Sequence, residues 1–228
     1  MPRETFEREL QALQDELLTL GSMVESMILD AVQVLKKRDM QGAHRLIAVD
    51  RIVNAKRFAI ESDALALIAT QQPMAGDLRT LAAVLDIATE LERMGDYAKG
   101  IARINLMIGE APLIKPLVDI PLMAGRASQM LHQALDAFVR RDVAMARSIP
   151  DQDDMVDHLY NQVFRELVTF ILVDPKNIEQ ANYLLWAAHN LERTADRVTN
   201  ICERIVFTVT GELAEMDQED SLEAHSMR

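Results

Sequence analysis

The hexapeptide LERMGD, residues 91–96, returns as LERTAD at residues 191–196. Each copy places a glutamate and an aspartate four residues apart, Glu92 with Asp96 in the first. Side chains at that spacing lie on one face of an α-helix, where two like charges destabilise the helix by about 0.2–0.5 kcal/mol. A like-charged pair written twice predicts two equivalent helices and indicates a bound cation as the partner of each pair.

The two halves of the chain also align outside this phrase. KRD at residues 37–39 corresponds to RRD at residues 140–142, an offset of 103, and QP at residues 72–73 corresponds to DP at residues 174–175, an offset of 102. The hexapeptide itself repeats at an offset of 100. Offsets that shrink in small steps predict a tandem repeat with short deletions between its elements.

Apolar residues recur every three or four positions through most of the chain, which is the helical period. Long helices joined by short connections pack antiparallel in bundles. The predicted fold is therefore all-α, with two tandem three-helix bundles, six long antiparallel helices and a pseudo-twofold internal repeat, the bundles lying end to end. Pro150 is expected to kink or delay the fifth helix. The six predicted helices are residues 6–37, 40–70, 76–108, 122–140, 143–172 and 177–210.

Proline and charge mark the domain boundaries. Pro112, Pro116 and Pro121 cluster in mid-chain, where proline cannot continue a helix. They predict a first bundle in residues 1–110, a linker in residues 111–121 and a second bundle in residues 122–210. Residues 211–228 are acidic and lack helical period, so we expect a disordered tail.

Composition limits the possible partners. The 228 residues include 36 acidic and 24 basic side chains, a net charge of −12, which argues against nucleic acid as a ligand. The single cysteine, Cys202, cannot form an internal disulfide and indicates a reducing compartment. The longest stretch without a charged side chain, residues 64–76, is too short to span a bilayer. We expect a cytoplasmic protein without direct membrane insertion, peripheral at the inner membrane only through partners.

The helix that precedes each glutamate pair carries a second oxygen-bearing pair at the same spacing. Adjacent antiparallel helices contact each other, so each half is predicted to bring four such side chains together. All-oxygen ligands favour hard or borderline cations such as Mg²⁺, Mn²⁺, Ca²⁺ or iron. Asn54 lacks a charge, so the first set is expected to bind metal more weakly. The first acidic cluster is Asp50, Asn54, Glu92 and Asp96, and the second acidic cluster is Asp153, Asp157, Glu192 and Asp196.

Two other interpretations compete with the metal-binding one. The acidic pairs are also compatible with solvated helix faces. There they would form surface salt bridges worth about 0–1 kcal/mol with Arg93, Arg193, Lys99 or Arg197. That interpretation describes a metal-free helical adaptor. A carboxylate-bridged di-metal oxidase would need Glu-x-x-His motifs, and the sequence contains none. It also lacks a Gly-rich phosphate loop, Gly-x-Ser-x-Gly and His-Glu-x-x-His, so we expect no enzyme.

The four acidic pairs, together with Gln72-Pro73 and the following Asp77-Leu78-Arg79, resemble the PhoU family of phosphate-uptake regulators. The resemblance extends from Phe6 to about Thr210, and Asn54 stands where the family pattern has an aspartate. It implies bound metal clusters, with iron or zinc among the ions, at the paired acidic motifs, alongside the manganese or magnesium that all-oxygen ligands favour.

The resemblance also implies a role without any assigned reaction. Proteins of this family are negative regulators of phosphate uptake and of the phosphate-starvation response. The resemblance implies a link between the ATPase subunit of the phosphate ABC transporter and a phosphate-sensing histidine kinase, and it implies a homodimer.

Overall fold

The computed structural model describes residues 2–213 and 215–216, and within these residues the chain is helical and forms no strand. Most of the predicted acidic tail lies outside the described residues. Single 3₁₀ turns cover Pro150–Gln152 and Pro175–Asn177. The α-helices are α1 (Pro2–Lys37), α2 (Met40–Gln71), α3 (Ala75–Ile108), α4 (Asp119–Arg140), α5 (Val143–Ser148), α6 (Asp153–Val173) and α7 (Ile178–Thr210).

Prolines lie at two of the helix boundaries. The predicted fifth helix is divided into α5 and α6 by the 3₁₀ turn that begins at Pro150, which confirms the expected interruption. α4 begins at Asp119, three residues before the predicted start, so Pro121 lies in its first turn. Proline is tolerated there because the first N–H groups of a helix have no intrahelical acceptor.

The repeated KRD and RRD segments form the same turn. Arg38 and Arg141 both adopt left-handed backbone, with φ of 59° and 53°, directly after α1 and α4. The aspartate that follows caps the next helix: Asp39 accepts from Gly42 N at 2.7 Å, as its counterpart does in the second half. A left-handed residue that ends one helix and an aspartate that begins the next make a sharp reversal.

The burial pattern repeats with the sequence. Leu17 and Ile120 are buried at the offset of 103, and so are Ile60 and Val163. The offset of 100 relates α3 to α7 in the same way, with both leucines of the hexapeptides inaccessible to solvent. The first bundle is thus α1–α3 and the second bundle is α4–α7. The division into independent domains stays a prediction, since one continuous core of buried residues runs through both bundles.

The bundles lie side by side, joined by α1 against α4 and by α3 against α7, so the expectation of an end-to-end arrangement is wrong. α3 explains the difference, because its buried residues cover more than one face, with Ala83, Val84, Ile87 and Met94 all inaccessible to solvent. A helix that is apolar on two faces must pack against more than one neighbour.

The contact between α3 and α7 has pseudo-twofold symmetry. Glu90 accepts from Asn200 Nδ2 at 3.4 Å. The equivalent positions, Asn190 and Gly100, also meet, and a Cβ atom at Gly100 would lie 2.9 Å from Asn190 Nδ2. The two pairs exchange under the offset of 100, so the internal repeat is a pseudo-twofold of the whole molecule.

One helix in the described part of the chain, Arg3–Lys37, is long and apolar enough by composition to cross a membrane. In the folded chain its apolar stripe faces the core, with Leu17, Leu20 and Val24 inaccessible to solvent. The apolar character of α1 is therefore accounted for by packing against its neighbouring helices.

Candidate functional site

The first acidic cluster lies between α2 and α3, and a lysine holds it together. Asp50 is 5% exposed, and its Oδ2 lies 2.8 Å from Lys99 Nζ. The same ammonium lies 2.5 Å from Asp96 Oδ1. Lys99 follows Asp96 by three residues on α3, so one helical turn places its side chain over the carboxylate. An ammonium group thus bridges the two helices at this cluster.

The hydrogen bonds of the first acidic cluster are only partly satisfied. Asn54 Nδ2 donates to Asp50 Oδ2 at 3.4 Å, while Oδ1 of each residue is buried without a hydrogen-bond partner. Burial raises the pKa of Glu92, Asp96 raises it further, and the Arg57 guanidinium lowers it. A positive side chain therefore faces each end of this cluster.

The second acidic cluster, between α6 and α7, has no such lysine. Thr199 stands at the position equivalent to Lys99. Asp153, the first residue of α6, has a buried Oδ1 without a hydrogen-bond partner. Burial, followed by the charges of Asp196, Asp157, Glu192 and Asp154, raises the pKa of Asp153 to about 7. Four carboxyl groups thus lie close together at a partly buried site.

Basic side chains contact the second acidic cluster only at its edge, so they neutralise its negative charge only in part. His189 Nδ1 lies 2.8 Å from Glu192 Oε2, and Arg193 Nε lies 4.0 Å from Asp196 Oδ2. Burial is still the largest influence on the pKa of Glu192 and of Asp196, and raises both. His189 precedes Glu192 by three residues on α7, so one helical turn places the imidazole beside the carboxylate.

The two clusters differ in their fit to a metal. Within the part of the chain that the structure describes, no three carboxyl, imidazole or thiol groups are arranged to hold one metal ion. In the first acidic cluster Lys99 occupies the place where a cation would neutralise Asp50, so these residues do not fit a multinuclear metal site. The second acidic cluster offers four carboxylates and the unpartnered Asp153 oxygen, a donor set suited to a hard cation after side-chain rotation. Metal binding at either cluster stays a prediction.

Lys99 pairs with the carboxylates, as the metal-free interpretation allows, but not at the surface. Its side chain is only 16% exposed and contacts a buried aspartate on another helix. The available signal was the asymmetry of the repeat, which has lysine in one copy and threonine in the other.

The fold and its duplicated acidic clusters define a class, namely tandem three-helix bundles with paired carboxylates on the second and third helices. The PhoU domain matches this chain twice, at residues 17–104 and 120–205. The phosphate-specific transport system accessory protein PhoU homolog of Clostridium acetobutylicum is 36% identical over 221 residues, covering 95% of this chain and 100% of the relative. The Escherichia coli accessory protein PhoU is 35% identical over 207 residues, 91% of this chain and 86% of the relative.

Solved structures agree with the sequence relationship. The crystal structure of PhoU from Pseudomonas aeruginosa is similar with a TM-score of 0.84 at 33% identity, covering 91% of this chain and 100% of that one. The phosphate transport system regulatory protein PhoU from Streptococcus pneumoniae also has a TM-score of 0.84, at 32% identity and 92% and 99% coverage. The chain belongs to the PhoU family.

Proposed function

We propose that this chain is an accessory regulator of phosphate-specific transport that acts through protein contacts and represses high-affinity phosphate uptake and the starvation response. The observation that carries the proposal is the sequence match to an accessory protein of that system, which extends over nearly the full length of both aligned chains. The partners proposed are the ATPase subunit of the phosphate ABC transporter and a phosphate-sensing histidine kinase. The regulator acts in the cytoplasm, peripheral at the inner membrane, as a homodimer.

The proposed role has no catalytic step. Family membership supports this, since the relatives are named accessory proteins. The chemistry of the one thiol agrees: Cys202 is inaccessible to solvent, and burial raises the pKa of its thiol to about 12. A buried, protonated thiol is a poor nucleophile.

The second acidic cluster is the proposed metal site, with Asp153, Asp157, Glu192 and Asp196 as ligands and iron, zinc, manganese or magnesium as the ion. A bound cation would neutralise the carboxylates and connect α6 to α7. What supports the proposal is the concentration of four carboxyl groups around the unpartnered Asp153 oxygen, without a lysine. Mutual repulsion of such groups has to be relieved by a cation or by protonation.

A metal-free adaptor is the second candidate, and a specific observation favours it. Lys99 neutralises two carboxylates of the first acidic cluster with a side chain of the protein itself. A chain that does this at one cluster needs no metal there. The two candidates differ in the metal content of purified protein.

Deletion in the source organism tests the regulatory proposal. Loss of the protein is expected to raise phosphate uptake and to switch on starvation genes in phosphate-replete medium. Uptake of labelled phosphate and transcript levels measure the two effects, and re-expression of the intact chain is the control. Unchanged uptake and unchanged transcripts would contradict the proposal.

Metal analysis tests the inequality of the two clusters. Glu192→Ala with Asp196→Ala is expected to remove most of the bound metal, because it halves the carboxylate count of the second acidic cluster. Asp50→Ala is expected to leave the metal content nearly unchanged, because Lys99 already neutralises that cluster. Elemental analysis by mass spectrometry of purified variants measures both. Equal loss in the two variants would contradict the inequality.

A further inference from the structure

The linker of the second bundle places a lysine between two acids. Lys115 precedes α4, and its Nζ lies 3.9 Å from Asp119 Oδ2 and pairs with Glu166 on α6. The side chains of Lys115 and Asp119 are 10% and 6% exposed. Two residues further on, Leu117 is buried and lines a small cavity with Leu167 of α6. The chain's own linker thus docks on α6 through one lysine and one leucine.

The internal repeat identifies the same place in the first bundle. α1 relates to α4, and α2 to α6, at one offset of 103, which the matched burial of Leu17 with Ile120 supports. Under that offset Asp119 corresponds to Glu16, and Glu166 corresponds to Asp63. The acids that hold the linker lysine in the second bundle therefore have acidic counterparts in the first.

These counterparts line an open groove. The groove runs between the N-terminal half of α1 and the C-terminal end of α2, has a volume of about 580 Å³, and is called here the α1–α2 groove. Its buried lining includes Leu13 and Leu67, and its exposed acids are Glu9, Glu16 and Asp63.

The α1–α2 groove lacks the central lysine because α1 continues as a helix through it. The position equivalent to Lys115 is Ala12, which lines the groove without a charge. Lys56 pairs with Glu16, whereas Asp63 has no ion pair with another described residue. The groove therefore keeps both acidic positions of the second-bundle site, with Ala12 of α1 in place of the lysine and with apolar lining of its own at Leu13 and Leu67.

We propose that the α1–α2 groove is a docking site for a partner protein segment that presents a lysine close to a leucine or similar apolar side chain. The occupant is argued from charge complementarity with the exposed acids of the groove and from the linker lysine that pairs with the equivalent acids in the second bundle. Residues 217–228 of this chain carry four acids against one arginine, so like charge disfavours them as occupant. The proposal rests on the proposed function only in that the regulator acts by protein contact, and it adds the surface and the chemistry of the partner.

A peptide with the linker sequence provides the probe. A fluorescently labelled peptide of residues 111–119, APLIKPLVD, is expected to bind the full chain, and the rise in its fluorescence anisotropy measures the binding. The double variant Glu16→Gln/Asp63→Asn and the single variant Asp63→Lys are each expected to weaken binding at least fivefold. Both positions are exposed, so the variants are expected to fold, and circular dichroism with thermal unfolding checks this.

Two controls make the test specific. Asp151→Asn removes an exposed acid from the second bundle and is expected to leave peptide binding unchanged. A peptide with Lys115→Glu is expected to bind at least fivefold more weakly than the linker peptide. Absence of binding, or binding that the Glu16 and Asp63 changes leave intact, would overturn the proposal.

Two further outcomes distinguish a partner segment from a second copy of the chain, and the groove proposal from the proposed function. Concentration-dependent dimerisation that Asp63→Lys abolishes would assign the groove to a second copy and overturn the partner segment. In the source organism, Asp63→Lys is expected to raise phosphate uptake as the deletion does. If the deletion raises uptake and Asp63→Lys does not, the groove proposal fails while the proposed function stands.

Discussion

At the scale of single residues, Lys99 separates the two acidic clusters. Its ammonium contacts a buried carboxylate on another helix, and removal of one partner of such a pair leaves an uncompensated charge. Thr199 occupies the equivalent position of the second repeat, so the chain itself supplies both versions of the site.

The exchange of these two residues is a direct test. Lys99→Thr is expected to lower the free energy of unfolding of the metal-free protein by about 2 kcal/mol, because Asp50 loses its cation. The reciprocal Thr199→Lys is expected to stabilise the metal-free protein and to lower its metal content. Urea unfolding in the presence of chelator measures the first effect and elemental analysis the second. Unchanged stability of Lys99→Thr would show that Asp50 does not depend on the ammonium.

Asp153 predicts a pH dependence with a definite sign. Its pKa of about 7 in the folded chain is above the ordinary value of 3.8, so the folded state holds this proton more tightly than the unfolded state. The contribution of this group to stability therefore falls as pH rises from about 4 to about 7. After allowance for solvent screening, its size is about 2 kcal/mol.

Asp153→Asn is expected to flatten this part of the pH profile of metal-free protein. Denaturant unfolding at pH 5 and pH 7.5 gives the comparison, and Asp151→Asn, an exposed neighbour, is the control. A variant that retains the full slope would assign the proton to another member of the cluster. Below pH 7 the same protonation is expected to compete with metal at this cluster.

At the scale of elements, the turns after α1 and α4 share one backbone conformation but differ in the contacts of their arginine side chains. The Arg38 guanidinium donates to Asn105 Oδ1 and to the Gly109 carbonyl oxygen at the end of α3. Arg141 makes no side-chain hydrogen bond or ion pair with another described residue. Left-handed backbone costs about 1–2 kcal/mol for a residue with a Cβ atom.

Glycine at the two positions is therefore expected to have opposite effects. Arg141→Gly should raise the free energy of unfolding by up to about 1 kcal/mol, because it removes only the backbone strain. Arg38→Gly should lower it by about 1–2 kcal/mol, because hydrogen bonds to the end of α3 are lost. Thermal unfolding of the two variants side by side measures the difference, and a shift of the same sign in both would contradict the assignment.

The helices themselves were largely predictable. Periodicity, proline and the aspartate caps are properties of a few neighbouring residues, and the division at Pro150 followed from the missing N–H of proline. The start of α4 was missed because the first turn of a helix tolerates proline, so Pro121 did not exclude a helix.

At the scale of the whole molecule, the side-by-side packing makes the two repeats one structural unit. α1 approaches α4 closely at Gly21, where a Cβ atom would lie 2.3 Å from Leu135 Cδ1. Burial is continuous from the first bundle into the second, so we expect one cooperative unfolding transition.

Gly21→Val tests this unity. The added methyl groups would have to displace Leu135, which is expected to cost about 1–3 kcal/mol and to shift a single calorimetric transition downward. Gly125→Ala, at a position of α4 with no atom near a new Cβ, is expected to stabilise by about 0.5–1 kcal/mol. Two separate transitions, of which Gly21→Val shifts only one, would contradict a shared core.

The sequence by itself determined most of the helical segments, the duplication, the members of the acidic clusters and the missing charge at Asn54, since each of these is a local or periodic property of the chain. The tertiary structure decided the side-by-side packing, the bridge from Lys99 to Asp50 and the lysine that the linker places against α6. Lys99 and Asp50 are 49 residues apart, and no local pattern specifies which face of one helix meets another. Long flexible side chains find their partners only after the backbone is packed, and for that reason the contrast between the two clusters appears only in the folded molecule.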